Sequence, residues 1–442
     1  MSGFENRRVM VAGLGVSGRA AARFLAARKA ALVLCDRGPD IGTSELPPGE
    51  IHLGDDDPAW LDGVDLVVSS PGVPPDSVLL SEARRRGIPV LGELELASRF
   101  ARGPLIAITG TNGKSTVTTM LGGILERAGL GVFVGGNLGV PLIEAAESEF
   151  DALVVEVSSF QLETIATFHP HVAVHLNLTD DHFERYRGLD DYGQAKARIF
   201  ENQGAGDWAI LNRDDPNVWA LAPGLRARLV GFGFDAPSSG DDAIWPEGRA
   251  LAFRIGGREG RVELSNFKLP GRHNLANAMA ASAAALAMGV APAAIDAALA
   301  EFRPLAHRLE FVREWRGVTF IDDSKATNVG AVVEALEAVE RPIVLIAGGM
   351  DKGGDYAPLR KPLAEKVKLA ILIGAARDTM RRALDGATEL AMLAELADAV
   401  GLAARVARPG DTVMLSPACS SFDQFRNYAQ RGEIFQKLVR AL

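Results

Sequence analysis

Cysteine is almost missing from this chain: Cys35 and Cys419 are the two in 442 residues, far apart and each beside an apolar run. A disulfide framework is not expected, and a reducing cytoplasm fits. Also missing is any uncharged apolar run of about 18 residues, the length a membrane-spanning helix needs. Met1 to Arg8 reaches a first strand without a hydrophobic signal core, so a soluble, cytoplasmic protein with no membrane insertion is expected. Long basic runs are absent too, and a net charge of −9 argues against a general nucleic-acid surface. At about 100–200 residues per domain, the length predicts roughly three domains, each with its own core.

What is there is organised around Ile108-Thr-Gly-Thr-Asn-Gly-Lys-Ser-Thr116. This glycine-broken turn follows an apolar run, Leu105 to Ile108, and opens a stretch, Val117 to Arg127, with apolar residues at helical spacing. Free backbone N–H groups and the positive end of a helix dipole favour an anion there. The turn reads as a phosphate cradle in which Lys114 reaches the terminal phosphates and the Ser115 hydroxyl is set to ligate Mg2+. A Walker A loop has glycine where Ile108 stands, so this is a shorter Gly-x-x-Gly-Lys-Ser form. On the loop alone, a solvated lysine on a Gly-rich turn is the plain alternative.

The chain begins with a second glycine pattern, Val9-Met-Val-Ala-Gly-Leu-Gly-Val-Ser-Gly18, a strand running into Gly-x-Gly-x-x-Gly and an Ala-rich helix. A strand from Ala31 to Leu34 ends at Asp36, at the spacing of a dinucleotide fingerprint whose acidic residue takes a ribose hydroxyl. That fingerprint specifies a βαβ unit close to a phosphate and does not distinguish NAD from another nucleotide. A strand from Val64 to Ser69 ends in Ser70-Pro-Gly-Val-Pro74, a rigid turn at a ligand-binding sheet edge or simple punctuation.

A short helical linker, about Glu93 to Gly103, leads to further parallel-sheet signals at Ala152 to Val155, Val172 to Leu176 and Trp208 to Leu211. Their polar ends bring Glu156 and His182 to the edge that carries the phosphate turn, as Mg2+ ligands or their supports. Lys196, on a helix predicted over Tyr192 to Asn202, reads by composition as a solvated helical lysine. Asn274 and Asn277 suit either a base edge or a helix cap. Gly231 to Val262, rich in Gly, Asp and Pro, reads as an excursion of hairpins and loops. Beyond Arg303-Pro304 the strands Val318 to Ile321, Pro342 to Ala347, Leu369 to Ile373 and Thr412 to Leu415 fit a further open parallel sheet. Three of their ends carry polar clusters, Asp322 to Asn328, Gly348 to Gly354 and Ser416 to Asp423, which together suit a small dicarboxylate. The fold class is α/β in three domains: a Rossmann-like unit over 1–93, a central mononucleotide-binding unit with the phosphate loop over 94–303, and a second Rossmann-like unit over 304–442.

The succession Thr-Gly-Thr-Asn-Gly-Lys-Ser-Thr, Glu-Val-Ser-Ser-Phe-Gln-Leu-Glu, Asp-His-Phe-Glu-Arg-Tyr, Gly-Arg-His-Asn, His307-Arg308, Asp-Ser-Lys-Ala-Thr-Asn and Ser-Pro-Ala-Cys-Ser-Ser resembles the Mur ligases over essentially the whole chain. The short phosphate loop is that family's usual form. The resemblance implies an ATP-dependent ligase with UDP-N-acetylmuramoyl-L-alanine and D-glutamate as substrates, acting as a monomer, its first domain holding UDP and not NAD. It implies ATP on Gly110, Thr111, Asn112, Gly113, Lys114, Ser115 and Thr116, with Asn274, Asn277, Arg308 and Asp323 around it. The UDP-sugar is implied along Leu14, Gly15, Val16 and Ser17, with Asp36, Ser70 and Gly72 nearby and Asn137 and His182 closer to the reacting carboxylate. Two Mg2+ ions are implied at Ser115, Glu156, His182 and Lys196, the last carbamylated by CO2, which reverses its compositional reading. Glutamate is implied at Lys325, Thr327, Lys352, Ser421 and Phe422, with Tyr428 close by, and a hinge near Pro304. Arg37, where a small hydroxyl residue is familiar, is a departure. A folylpolyglutamate synthase, in which Gly-Lys-Gly-Ser is expected, a nicotinamide-dependent dehydrogenase resting on the first fingerprint, and a non-catalytic nucleotide sensor stay open.

Overall fold

Short runs of Val, Ile, Leu and Ala, buried on both faces, are the residues of parallel strands covered by helices. In the computed structural model, which describes residues 3–238, 240–269, 271–340 and 342–442, they form three separate sheets. The first holds β1 (Arg8–Ala12), β2 (Ala31–Asp36), β3 (Glu50–Leu53), β4 (Leu66–Ser69) and β5 (Val90–Gly92), all parallel in the order β3-β2-β1-β4-β5. Strand order reverses between β1 and β4, the crevice where such sheets bind ligands.

The second sheet holds β6 (Leu105–Thr109), β7 (Val132–Gly136), β8 (Ala152–Glu156), β9 (Val172–His175), β10 (Trp208–Asn212), β11 (Arg228–Phe232), β12 (Ala243–Glu247), β13 (Ala250–Ile255) and β14 (Arg258–Glu263). Its order is β14-β13-β12-β11-β10-β9-β6-β8-β7, parallel as far as β12 and antiparallel through the last two hairpins. The hairpins around residues 243–263 therefore widen the central sheet. The third sheet holds β15 (Glu310–Trp315), β16 (Val318–Asp322), β17 (Ile343–Gly348), β18 (Val367–Ile373), β19 (Leu390–Met392) and β20 (Thr412–Leu415), in the order β15-β16-β20-β17-β18-β19. It is not wholly parallel as expected: β15 runs antiparallel to β16, because the two are joined by the tight turn at Arg316-Gly317, which leaves no room for a crossover.

The first two sheets each have a core on one face and share another on the opposite face. One apolar cluster runs from Phe4 and Val9 through Leu94 and Leu96 of the linker helix Glu93–Ser98 to Phe168 and Phe200. The same helix carries Glu95, fully buried, whose carboxylate accepts N–H bonds from Ala166 at 2.8 Å and Phe168 at 3.0 Å and the Thr167 hydroxyl at 2.6 Å. Burial alone would raise this carboxyl, but those donors and Arg99 hold it below the ordinary range. The third sheet has cores of its own.

Candidate active site

The phosphate turn leaves β6 at its carboxyl end and enters the helix Lys114–Arg127, whose N-cap, Gly113, has φ 82°. A side chain there would be strained, and its Cβ would come 2.4 Å from Asn277 Oδ1. Asn277, buried on the helix Arg272–Ala287, thus lies on the side of the turn where it borders, with Leu176, Phe232, His273 and Glu334, a cavity of about 130 Å³; Asn274 is buried on the same helix and does not border it. Pro270, in the Leu269–Asn277 run, lies outside the described residues.

The turn is held open by the segment after β9. Asn177 accepts from the Asn112 N–H at 2.8 Å and donates to the Asn112 carbonyl at 3.1 Å, while Thr179 N–H donates to Thr111 Oγ1 at 3.0 Å. Within this frame Lys114 Nζ folds back onto the carbonyls of Gly110 and Thr111, 2.8 Å from each. Burial pushes its ammonium down, with Glu156 and Asp181 pulling the other way. The Ser115 hydroxyl donates to Glu156 Oε2 at 2.6 Å, and Asn137 Nδ2 donates to Oε1 at 2.8 Å, so Ser115, Glu156 and Asn137 form one chain of contacts.

Lys196 is not the solvated lysine its composition suggests. It is 1% exposed, its Nζ donates to the Gly110 carbonyl at 2.8 Å, and it lies 4.5 Å over the Tyr192 ring. The helix under it is Leu189–Ala197, continued by one tighter turn, Arg198–Phe200. Burial, then repulsion from Lys114, pushes the Lys196 amine well below the ordinary range. His182, with φ 58°, has Nδ1 on Glu184 at 2.9 Å, and its ring packs on Phe160 at 4.8 Å and edge-on against Tyr192 at 6.2 Å. Among the described residues, the one trio of His, Cys, Asp or Glu with its ligand atoms mutually close is elsewhere, at His307, Glu310 and Asp322.

Between the second and third sheets a cavity of about 440 Å³ is bordered by Asn112, Asp181, His182, Thr327, Asn328 and Lys352. Lys352 Nζ contacts Asp181 Oδ1 at 3.1 Å, and Asn328 Nδ2 donates to Asn112 Oδ1 at 2.9 Å and to Asp181 Oδ2 at 3.3 Å. Lys325 Nζ donates to the Tyr428 hydroxyl at 2.9 Å. Ser421 is buried and Phe422 is 66% exposed, and neither borders this cavity. Asp323 accepts the Ser416 hydroxyl at 2.6 Å and the Leu309 N–H at 3.2 Å; burial pushes it up to about 7, as it does Glu334, with Arg308 opposing in both.

A third cavity, about 920 Å³, runs from the first sheet to the second, past Val16, Ser17, Asp36, Ser70, Gly72 and Asn137 to Tyr428. Gly15 also borders it, whereas the Leu14 side chain is in the core and only its N–H faces Asp36. Asp36 accepts the N–H groups of Leu14 at 2.6 Å and Gly38 at 2.8 Å, which ties the glycine turn to the end of β2. Arg37 pairs with Asp56 on the cavity wall. Sequence reasoning singled out neither Asn177 nor Asp181, although both stand in the polar run after β9. It also passed over Arg431, buried in the last helix, which donates to the carbonyls of Ser324, Cys419 and Ser420 and so joins two strand-end loops.

Three family models match in sequence order: "Mur ligase MurD-like, N-terminal domain" over residues 7–92, "Mur ligase middle domain" over 108–285 and "Mur ligase, glutamate ligase domain" over 307–419. The chain is 47% identical over 451 residues to the UDP-N-acetylmuramoylalanine–D-glutamate ligase of Geotalea uraniireducens (strain Rf4), covering 99% of this chain and 98% of that one. It is 44% identical over 450 residues to the protein of the same name from Pelotomaculum thermopropionicum, with the same coverage. Among solved structures, the MurF ligase of Thermotoga maritima in complex with ADP superposes with TM-score 0.63 at 19% identity, over 99% of this chain and 96% of that one. E. coli FolC in complex with ADP gives 0.58 at 20% identity, over 79% and 93%. At such identities these two likenesses concern the fold.

Proposed function

The chain belongs to the Mur ligase family of ATP-dependent amide-bond-forming ligases, and from that premise we propose that it joins D-glutamate to UDP-N-acetylmuramoyl-L-alanine through an acyl phosphate, releasing ADP and phosphate, in cytoplasmic synthesis of peptidoglycan precursors. The observation that carries this reading is that the phosphate turn stands between the two larger cavities: its Asn112 borders the one that holds Lys352 on Asp181, and the Ser115–Glu156–Asn137 chain reaches from it to the one at the first sheet. The dehydrogenase and folylpolyglutamate readings give way to the full-length likeness to D-glutamate ligases.

The three units proposed, 1–93, 94–303 and 304–442, divide the work. The UDP end of the substrate occupies the cavity past Ser17, Ser70 and Gly72, with its diphosphate at the N-terminus of the helix Val16–Ala27 and its carboxylate toward Asn137. ATP lies on Gly110 to Thr116, with Asn274, Asn277, Arg308 and Asp323 about the nucleoside. Lys114, released from the two carbonyls, follows the charge that spreads over the transferring phosphoryl oxygens as the carboxylate oxygen attacks γ-phosphorus. Glutamate enters between Thr327 and Lys352, and its amine displaces phosphate from the acyl carbon, forming the amide bond. The buried walls exclude water, the competing nucleophile.

The donor set fits Mg2+ in part: a serine hydroxyl and a carboxylate already meet at Ser115 and Glu156, while His182, after a strand of the same sheet, has its Nδ1 on Glu184. Two bound Mg2+ ions would supply charge neutralisation at the phosphates. Lys196, buried with a depressed amine, is suited to carbamylation, which would make it an anionic partner for them.

The test is phosphate release from ATP with UDP-N-acetylmuramoyl-L-alanine and either D-glutamate, L-glutamate or no amino acid, with the product weighed. Release only with D-glutamate and a product heavier by one glutamyl residue is expected. Release with L-glutamate would retain the mechanism and overturn the substrate, and no release would overturn the ligase assignment.

A further inference from the structure

One side chain of the central sheet is polar where its setting calls for an apolar one. His175, the last residue of β9, is 1% exposed, and neither ring nitrogen has a hydrogen-bond partner among the described residues. A neutral imidazole carries one N–H and one bare nitrogen, and burying both unmatched is unfavourable. The position is paired with Thr109 on β6 and Leu211 on β10, and the cluster it faces holds the strand residues Ala107, Ala173, Ala209 and Leu211, all aliphatic.

Three contacts fix where the ring lies. Its partner Thr109 immediately precedes Gly110, whose carbonyl receives Lys196 Nζ at 2.8 Å. Strand alternation puts His175 on the face of Ala173, in the cluster that contains Phe200, and the His175 and Phe200 rings are 6.5 Å apart. Phe200 follows Lys196 by four residues, about one helical turn, so both project from the same side of that segment. Imidazole and lysine head therefore lie on the same side of the phosphate turn, without a direct hydrogen bond and near enough for the lysine charge to act on the ring. Burial first, then the charges of Lys196 and Lys114, hold the imidazole neutral, near 3.

We propose that His175 is a positioning residue for carbamylated Lys196, its ring N–H donating to a carbamate oxygen and fixing the orientation of that group under the phosphate turn. The proposal rests on the carbamylation reading above. In forming the group, the deprotonated Lys196 nitrogen adds to the carbon of CO2: a C–N bond forms, one C–O π bond breaks onto oxygen, and the proton lost from nitrogen passes to solvent. A buried anion so made needs donors for its oxygens, and an N–H to an ionised oxygen is among the stronger hydrogen bonds. The imidazole supplies such a donor without adding a second cation beside Lys114.

The experiment is 13C NMR of the full chain equilibrated with [13C]bicarbonate, following the carbamate carbon against bicarbonate concentration, with Lys196→Arg to assign the signal. His175→Leu is expected to need about tenfold more bicarbonate for half occupancy, equivalent to about 1.4 kcal/mol. His175→Asn, which keeps an N–H, is expected to recover much of that loss, a recovery that a purely packing role would not give. His175→Ile serves the same comparison if the leucine variant does not fold. Equal half-occupancy in wild type and the apolar variant overturns the role of His175 and leaves carbamylation standing. A wild-type protein without a Lys196-dependent signal overturns carbamylation and this inference together, while the phosphate-release test decides the ligase reading separately.

Discussion

Lys114 bonds to the turn that contains it, its Nζ bridging the Gly110 and Thr111 carbonyls, and so is already aimed into the concavity that the helix N-terminus faces. Lys114→Ala is expected to lower turnover by a factor of at least about 10³, by analogy with other removed transition-state donors. Phosphate-release kinetics check it, and near-normal turnover would remove the ATP assignment. A second residue, far from chemistry, sets a pH dependence. Glu93 is 1% exposed, one of its oxygens has no partner among the described residues, and burial pushes it up to about 7. Because its folded pKa exceeds the ordinary 4.5, the folded chain holds a proton that the unfolded chain has lost, and stability falls as pH rises from about 4.5 to 7. The loss is at most on the order of 3 kcal/mol. Glu93→Gln is expected to flatten that slope in urea titrations, and an unchanged slope would assign it to Asp323 and Glu334. Lys114 was legible because a turn is local. Lys196 was not, since its burial depends on Tyr192 and on the Gly110 carbonyl 86 residues away.

The same division holds for elements. Buried central strands such as β6, β8 and β17 announce themselves as apolar runs, whereas β3, β5, β7, β15 and β19 went unread, and all five are sheet edges. An edge strand packs on fewer neighbours and either tolerates polar residues, as in Glu50-Ile-His-Leu53, or is apolar over only three residues, as in Val132-Phe-Val134 and Leu390-Ala-Met392, too short a run to mark a strand. β11, interior but opening on exposed Arg228, was missed for the same lack of pattern. At the helix that follows the phosphate turn, the glycine N-cap is a requirement of the element. Gly113→Ala meets both a left-handed backbone and the Asn277 side chain at 2.4 Å. It is expected to destabilise the chain by about 1–2 kcal/mol and to weaken ADP binding, read by thermal melting and calorimetry. Adding Asn277→Ala should relieve the steric part and leave the backbone part; full restoration would show that the φ of 82° carries no strain.

Across the whole molecule, the attachments differ in kind. The first and second sheets are joined through one apolar core and the buried Glu95 clasp, which resists separation. The third sheet has its own cores and meets the second at the cleft through polar pairs, Lys352 with Asp181 and Asn328 with Asn112 and Asp181. Relative motion is therefore expected of the third unit, about a hinge near Pro304. Asp181 is the keystone: burial would raise its carboxyl, but Lys352 and His182 hold it below the ordinary 3.8. With a depressed pKa the Lys352 pair is complete above about 3.8 and is lost as pH falls through the folded value, so acid is expected to loosen the cleft. Lys352→Met removes the cation and leaves Asp181 buried and unpaired, which favours the open arrangement. The expected result is a larger radius of gyration by small-angle scattering and a KM for D-glutamate raised about tenfold or more, with KM for ATP less affected. If scattering is unchanged while the glutamate KM rises, Lys352 acts as a glutamate contact alone and closure is set by Asn328. If both are unchanged, the cleft described between the second and third sheets is not where glutamate enters.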